Sequence, residues 1–278
     1  MKIGETNSLK IARETKIGLY LEDSIGLEVL LPKRFVPEDV KPGDIINVFV
    51  YRDNEDRPIA TTQTPKAELN QFAALEVKSV SAIGAFLDWG IMKDLFVPFN
   101  QQIHPMKEGD IYVIYVYLDE LTQRLAATTR IEQFLNPADL SFEKGHPLNA
   151  VVFDRTEIGY KVMLDKTYSG MIYANQVFQK LSIGDELTVY VNNIREDGKI
   201  DVLVQKPGVA SIEDSTSLLR TKLQENNGYL PLTDSSSPQE ISTLLHISKK
   251  QFKKAVGNLY KQREIKLTED GIELVKKA

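Results

Sequence analysis

Two stretches of the chain carry side chains able to do chemistry on a partner. "IGAFLDWG" (83–90) reads as a strand, so its side chains alternate between two faces. Ala85 and Leu87 fall on one face, Phe86 and Asp88 on the other. If the Ala/Leu side meets a core, Phe86 stands toward solvent beside a carboxylate, and the only tryptophan, Trp89, follows three residues later. An aromatic so placed can stack on another planar ring with little regard to that ring's identity. The second stretch, "SKKQFKKAVGNLYKQREI" from Ser248, spaces Lys249, Lys250, Lys253 and Lys254 at i, i+3 and i+4. Part of that cluster shares one helical face and could hold phosphate groups through salt-sensitive contacts. Each feature also has a plain structural reading. Phe86 could pack on a neighbouring domain, Trp89 could wedge between domains, and the lysines could be a solvated outer face.

Other chemistries find little support. The chain has no cysteine, which removes disulfides and thiolate metal sites and suits a cytoplasmic location. His104, His146 and His246 lie far apart, and two of them precede proline, so no metal or other cofactor is expected. There is no Gly-rich loop ending in Lys-Ser/Thr, no His-Glu-x-x-His and no Gly-x-Ser-x-Gly. The acidic runs "NEDRP" (54–58) and "EDGKID" (196–201) have turn composition, which accounts for them without catalysis. An enzyme is not expected. No apolar run approaches the roughly 20 residues of a spanning helix, and the N-terminal stretch has no apolar signal core, so neither membrane insertion nor export is expected.

The elements that must position these residues repeat. "IGLYLEDSIGLEVLLPKRF" at Ile17, "IGAFLDWGIMKDLFVPFNQ" at Ile83 and "IGYKVMLDKTYSGMIYANQ" at Ile158 are each followed by Gly-Asp and an alternating strand. The first glycine stands 25 residues before the second in every copy: 18 to 43, 84 to 109, 159 to 184. The copies read as five short strands each; in the second these are "AALEVKSV", "GAFLDW", "DLFVPF", "DIYVIYVYL" and "RLAATT". Five strands in about 65 residues fit a small closed barrel of the OB type, since closure removes exposed edges. The last 70 residues change period. Leu218, Leu219 and Leu223 lead to a stop at Asn-Asn-Gly, and Ser237-Pro238 opens a second helix. A third helix carries the lysines, with Phe252, Val256 and Leu259 on its apolar stripe. "EIKLTEDGIELVKK" reads as a hairpin with a type I′ Asp-Gly turn. Helix, strand, helix, helix, hairpin is the order of a winged helix.

The expected fold class is therefore mainly β with a small α+β C-terminal domain: three tandem five-stranded OB barrels at 1–64, 68–135 and 142–208, and a winged helix at 211–278. Charge follows the same division. Residues 1–208 hold 23 basic against 30 acidic residues, and residues 209–278 hold 11 against 9. A net charge of −5 thus conceals a local positive region, with seven basic residues and one acid over 249–266.

The repeats resemble S1-type RNA-binding barrels, and "IGAFLDWGIMKDLFVPF" together with the C-terminal module resembles the bacterial conserved virulence factor B family over essentially the whole chain. The resemblance implies an RNA-facing surface on the second and third strands and the start of the fifth. On it, Phe86 and Arg124 match the second aromatic and the basic position in the second repeat, and Tyr20 and Arg57 match them in the first. In the third repeat Lys161 replaces the aromatic, Tyr173 takes a histidine place filled by Val29 and Val97 in the other repeats, and Lys199 takes the basic position. Isoleucines 17 and 83 occupy the place of a first aromatic. No copy has the full set, which favours weak sites used together.

The expected function is low-selectivity binding of single-stranded RNA by a cytoplasmic monomer. Aromatic stacking, by Phe86, Trp89, Tyr20 and Tyr173, would combine with phosphate contacts from the basic helix. The resemblance further implies a role in controlling virulence or stress gene expression. Two alternatives stay open at this point: a duplex-DNA regulator acting through the winged helix, and a protein-interaction scaffold whose aromatics are interface anchors.

Overall fold

The computed structural model describes the chain except at residues 136, 138, 139, 178, 179, 207–209, 246 and 276–278. Parts of the second and third expected inter-domain segments, and His246, therefore lie outside the described residues. The chain forms two compact units, residues 1–135 and 136–278.

The first unit holds two barrels. Barrel 1 comprises β1 (Thr6–Thr15), β2 (Gly18–Glu22), β3 (Glu28–Pro32), β4 (Ile45–Arg52) and β5 (Pro58–Thr61), closed in the order β1-β2-β3-β5-β4. Barrel 2 repeats this order with β6 (Phe72–Val80), β7 (Gly84–Asp88), β8 (Leu95–Pro98), β9 (Ile111–Leu118) and β10 (Leu125–Thr128). Closure is incomplete there, because no ladder joins β8 to β10. That parallel seam is the weakest line of the design: it is one residue pair in barrel 1 (Leu30 with Ile59) and two in barrel 3. Barrel 3, in the second unit, is closed again by β11 (Pro147–Thr156), β12 (Gly159–Leu164), β13 (Tyr168–Tyr173), β14 (Glu186–Ile194) and β15 (Ile200–Leu203).

The constant 25-residue spacing has a mechanical cause. The first strand of each barrel carries a bulge, at Ile11/Arg13, Val77/Ser79 and Val152/Asp154. Into that bulge the later glycine donates its N–H: Gly43 to the Ile11 carbonyl (2.8 Å), Gly109 to Val77 (2.9 Å) and Gly184 to Val152 (2.8 Å). All three glycines have positive φ, which other residues adopt only with strain. The earlier glycine is fixed by contact instead. A Cβ on Gly18, Gly84 or Gly159 would lie 2.0, 2.3 or 2.1 Å from a carbonyl oxygen of the adjacent strand. Both glycines are therefore needed for β2, β7 and β12 to seat beside their neighbours.

The two barrels of the first unit are not joined by a free linker. Phe49 and Tyr51 of β4 belong to the same buried cluster as Val77, Leu87, Trp89 and Ile114 of barrel 2, and Ala67, between the barrels, is buried in it. The C-terminal module has α1 (Ala210–Glu225), β16 (Tyr229–Leu230), α2 (Pro238–Leu245), α3 (Lys249–Lys261), β17 (Ile265–Leu267) and β18 (Ile272–Leu274). Both later helices begin on capping boxes. Ser237 N–H donates to the Glu240 carboxylate and Glu240 N–H to the Ser237 hydroxyl, and Ser248 with Gln251 repeats the pattern. The β17–β18 hairpin departs from expectation. Leu267 pairs with Ile272, leaving a four-residue connection, and neither Asp270 nor Gly271 has the positive φ of a type I′ turn. The Asp270 carbonyl instead accepts a hydrogen bond from the Tyr229 hydroxyl (3.1 Å).

Candidate nucleic-acid interface

Strand register lines up one row across the second and third strands of every barrel and carries it to the fifth strand in barrels 1 and 3. In barrel 2, β7 alternation buries Ala85 and Leu87 completely and turns Phe86 outward, opposite Phe96 of β8. The two rings lie 5.1 Å apart, centroid to centroid, tilted by 38°. Ala126 of β10 takes the place of Ile59 in the repeat but is buried, and no ladder joins it to Phe96. In barrel 1 the equivalent residues are Tyr20, Leu30 and Ile59, and in barrel 3 Lys161, Met171 and Asp201. Phe96 was missed in the sequence, although applying the same alternation to "LFVP" puts Leu95 and Val97 inside and Phe96 out.

Trp89 is a correction. It is 2 % exposed, lies edge-on to Phe49 of barrel 1 with ring centroids 5.5 Å apart, and donates its indole N–H to the Lys93 carbonyl. It offers no face for stacking and instead seals the two barrels together. The histidine place is also corrected. Val29 and Val97 are buried core residues, and the register partner of the fixed glycine is Pro32, Pro98 or Tyr173. The isoleucines before that glycine, Ile17, Ile83 and Ile158, are 58, 64 and 58 % exposed, a shared apolar step at the edge of each row.

The basic positions occupy equivalent turns. Arg57, Arg124 and Lys199 each place a backbone carbonyl against the N–H of Asp53, Asp119 or Arg195. Their surroundings differ. Arg57 is exposed and held by Asp53 (2.8 Å) and Glu55 (2.7 Å). Arg124 crosses to barrel 1, where its Nε donates to the Asp56 carboxylate at 2.5 Å. That bond holds the Asp56 carboxyl below the usual carboxylate range. Lys199 is half-buried. In barrel 1, Tyr20 has one face covered by the Arg13 guanidinium, 3.8 Å from the ring centroid, and Arg13 is itself held by Glu28 at 2.6 Å.

Barrel 3 places Lys161 and Tyr173 on one face of the β12–β13 ladder. Tyr173 lies one turn of the pleat beyond Met171, whose partner across the ladder is Lys161. The Tyr173 hydroxyl accepts from Arg195 (3.0 Å) and reaches Asp201 (3.4 Å), while Arg195 pairs with Asp201 at 2.7 Å. Arg195 was not singled out in the sequence. The repeat alignment could have found it, since the same turn position is Asp53 in the first copy and Asp119 in the second.

On α3 the core face is Phe252, Ala255 and Leu259, with Val256 at its border. Lys250, Lys253 and Lys254 are exposed on the opposite side, with Lys249 half-buried at the helix start. Lys253 is tied to Asp234 (2.8 Å). Lys261 and the 56 %-exposed Tyr260 extend this face, and Gly257 in its middle has open space where a side chain would stand. Among the described residues no group of three or more His, Asp or Glu could hold a metal ion, and no helix is long and apolar enough to cross a membrane.

Residues 3–63 match the S1 domain model, and residues 217–274 match the CvfB-like winged helix domain. The chain is similar to YitL of Bacillus subtilis (strain 168), with 27 % identity over 95 % of this chain and 91 % of that protein. It is 24 % identical to conserved virulence factor B of Staphylococcus epidermidis over 86 % of this chain and 83 % of the relative. A crystal structure of a multidomain protein with nucleic acid binding domains from Streptococcus pneumoniae TIGR4 aligns over 98 % of both chains, with 25 % identity and a TM-score of 0.46. With a match to the S1 domain model at one end, a match to the CvfB-like winged helix domain at the other and relatives of that name across most of its length, the chain is similar to the conserved virulence factor B proteins from end to end.

Proposed function

We propose that the protein binds single-stranded RNA with low sequence selectivity and acts in post-transcriptional control of gene expression. The observation that carries this reading is the outward row of barrel 2, where Phe86 and Phe96 form a paired aromatic platform on the face that S1 domains present. Stacking on such a platform contributes about 1–3 kcal/mol per base and does not read base edges. Lys250 and Lys254 on α3, and Lys161 on barrel 3, supply cations for the phosphates. Barrel 1 contributes least, because Tyr20 is half-covered by Arg13 and Arg57 already faces two carboxylates. The lysine face of α3 is also where a winged helix would meet duplex DNA, so the test compares the two.

Anisotropy of a labelled 20-nucleotide single-stranded RNA, and of duplex DNA of matched sequence, is titrated with the full chain at two salt concentrations. Preference for the RNA, weakened by salt and reduced in both Phe86→Ala and Lys249/Lys250/Lys253/Lys254→Ala, supports the reading. Preference for duplex DNA that is indifferent to Phe86→Ala moves the activity to the winged helix. No salt-sensitive binding to either leaves a protein-interaction scaffold.

A further inference from the structure

Barrel 2 does not present its aromatic platform to open solvent alone. Barrel 1 stands over it, and a cavity of about 420 Å³ lies between them, with Phe86, Phe96, Trp89 and Tyr51 among its walls. This is within the size range of small-ligand sites, roughly 300–1,000 Å³. Its second wall is the β4–β5 turn of barrel 1, docked by an interlocking set of hydrogen bonds. Arg52 donates to the Gln123 carbonyl (3.0 Å) and the Asp56 carbonyl (2.5 Å), and the Lys93 ammonium donates to the Arg52 and Asp53 carbonyls (2.7 and 3.2 Å). Both cations thus hydrogen-bond to neutral acceptors. Arg124, the third, is met by the Asp56 carboxylate. Of the acidic residues on the walls, Asp94 is paired with Lys78 (2.9 Å), and the Asp119 carboxylate accepts from the Thr122 N–H and hydroxyl (2.8 Å each).

An aromatic wall beside cations suits a ligand with a flat ring and an anionic group a few ångströms away. We propose that the cleft between barrels 1 and 2 is a pocket for a single nucleotide. Its base lies against Phe86 and Phe96, and its phosphate replaces the Asp56 carboxylate at Arg124. Asp56 is then an internal competitor that occupies the phosphate anchor when the pocket is empty. The inference rests on the proposed RNA binding for its ligand class and goes beyond it in assigning a two-walled site to which barrel 1 contributes directly. The same chemistry is offered by a free nucleotide and by the 5′-phosphorylated end of an RNA strand.

Trp89 is the only tryptophan and lines the cavity, so its emission reports both occupancy and barrel docking. The full chain and its Asp56→Asn and Arg124→Ala variants are titrated with adenosine monophosphate, adenosine, and a 5′-phosphorylated tetraadenylate. Unchanged emission maxima without ligand establish that the barrels remain docked in each variant. The expected result is saturable change with the phosphorylated ligands, tightened about 2- to 5-fold by Asp56→Asn as a surface carboxylate is removed from competition. Arg124→Ala weakens the phosphorylated ligands, and adenosine gains nothing from Asp56→Asn. The tighter of the two phosphorylated ligands identifies the source. If the 20-nucleotide RNA binds the wild-type chain while Trp89 responds to none of these ligands, or if Asp56→Asn leaves phosphorylated ligands unimproved, the pocket assignment is wrong. If the RNA itself does not bind, the functional reading has failed first.

Discussion

Phe86 and Trp89 are three residues apart, yet they belong to opposite sides of the same structure. Period-two alternation already separates them, since Trp89 shares parity with Ala85 and Leu87, and the tryptophan follows those residues into the core. The expected strand "GAFLDW" already included Trp89, and the wedge between domains named as its structural alternative is the role that the burial supports. Substitution should separate the two roles. Trp89→Ala leaves a cavity at the barrel junction and should cost about 3–5 kcal/mol of stability. Phe86→Ala removes one member of an aromatic pair and should cost about 1 kcal/mol, while RNA affinity falls by the larger stacking contribution. Thermal denaturation alongside anisotropy measures both. A Phe86→Ala variant as unstable as Trp89→Ala, with unchanged affinity for the RNA that remains folded-state bound, would place Phe86 among the structural residues.

At the scale of elements, the platform depends on how closely β7 seats against β8. A Cβ at Gly84 would lie 2.3 Å from the Val97 carbonyl oxygen and 2.7 Å from the Phe96 ring. Gly84→Ala must therefore push β8 away and separate Phe96 from Phe86. The expected outcome is a lower melting temperature together with RNA binding reduced at least as far as in Phe86→Ala. A variant with wild-type stability and affinity would show that the tight seating is unnecessary. This dependence was legible in the sequence as a spacing: the two glycines of each repeat mark a tight contact and a bulge closure, and both recur at fixed distance because the barrel is built the same way three times. The row partners were partly legible too, with Tyr20, Phe86 and Lys161 found and Phe96 and Met171 missed. What the sequence could not express is which surface one barrel takes from another. Arg124 has the same sequence setting as Arg57, yet Arg57 meets Asp53 and Glu55 of its own barrel while Arg124 reaches across to Asp56 of barrel 1. The C-terminal hairpin forms as expected but its turn does not: Asp-Gly chemistry favours a tight type I′ turn, whereas the Leu267–Ile272 register places both residues in a four-residue connection tied to Tyr229.

Across the whole molecule, the aromatic platform and the exposed lysine cluster lie in different parts of the chain, and salt should separate their contributions. Residues 1–208 are acidic in total, with Arg52, Lys93 and Arg124 beside the barrel 2 platform, whereas α3 carries its exposed lysines opposite its packed face. Each phosphate neutralised on a single strand contributes roughly 0.7 to the slope of log affinity against log salt. Lys250, Lys254 and Lys261 are exposed, while Lys253 is engaged by Asp234. Lys250/Lys254/Lys261→Ala should therefore reduce the magnitude of the slope by about 2, and Lys253→Ala by less than one phosphate's share. Phe86→Ala should lower affinity at every salt concentration and leave the slope unchanged. Because a single chain links the two kinds of site, each raises the local concentration of RNA at the other. Removing both should then cost more than a 20-nucleotide strand loses from either alone, and should bring binding close to background. A slope that collapses on Phe86→Ala but survives loss of the lysines would reverse this division, placing the phosphate contacts on the barrels and leaving α3 as a solvated face.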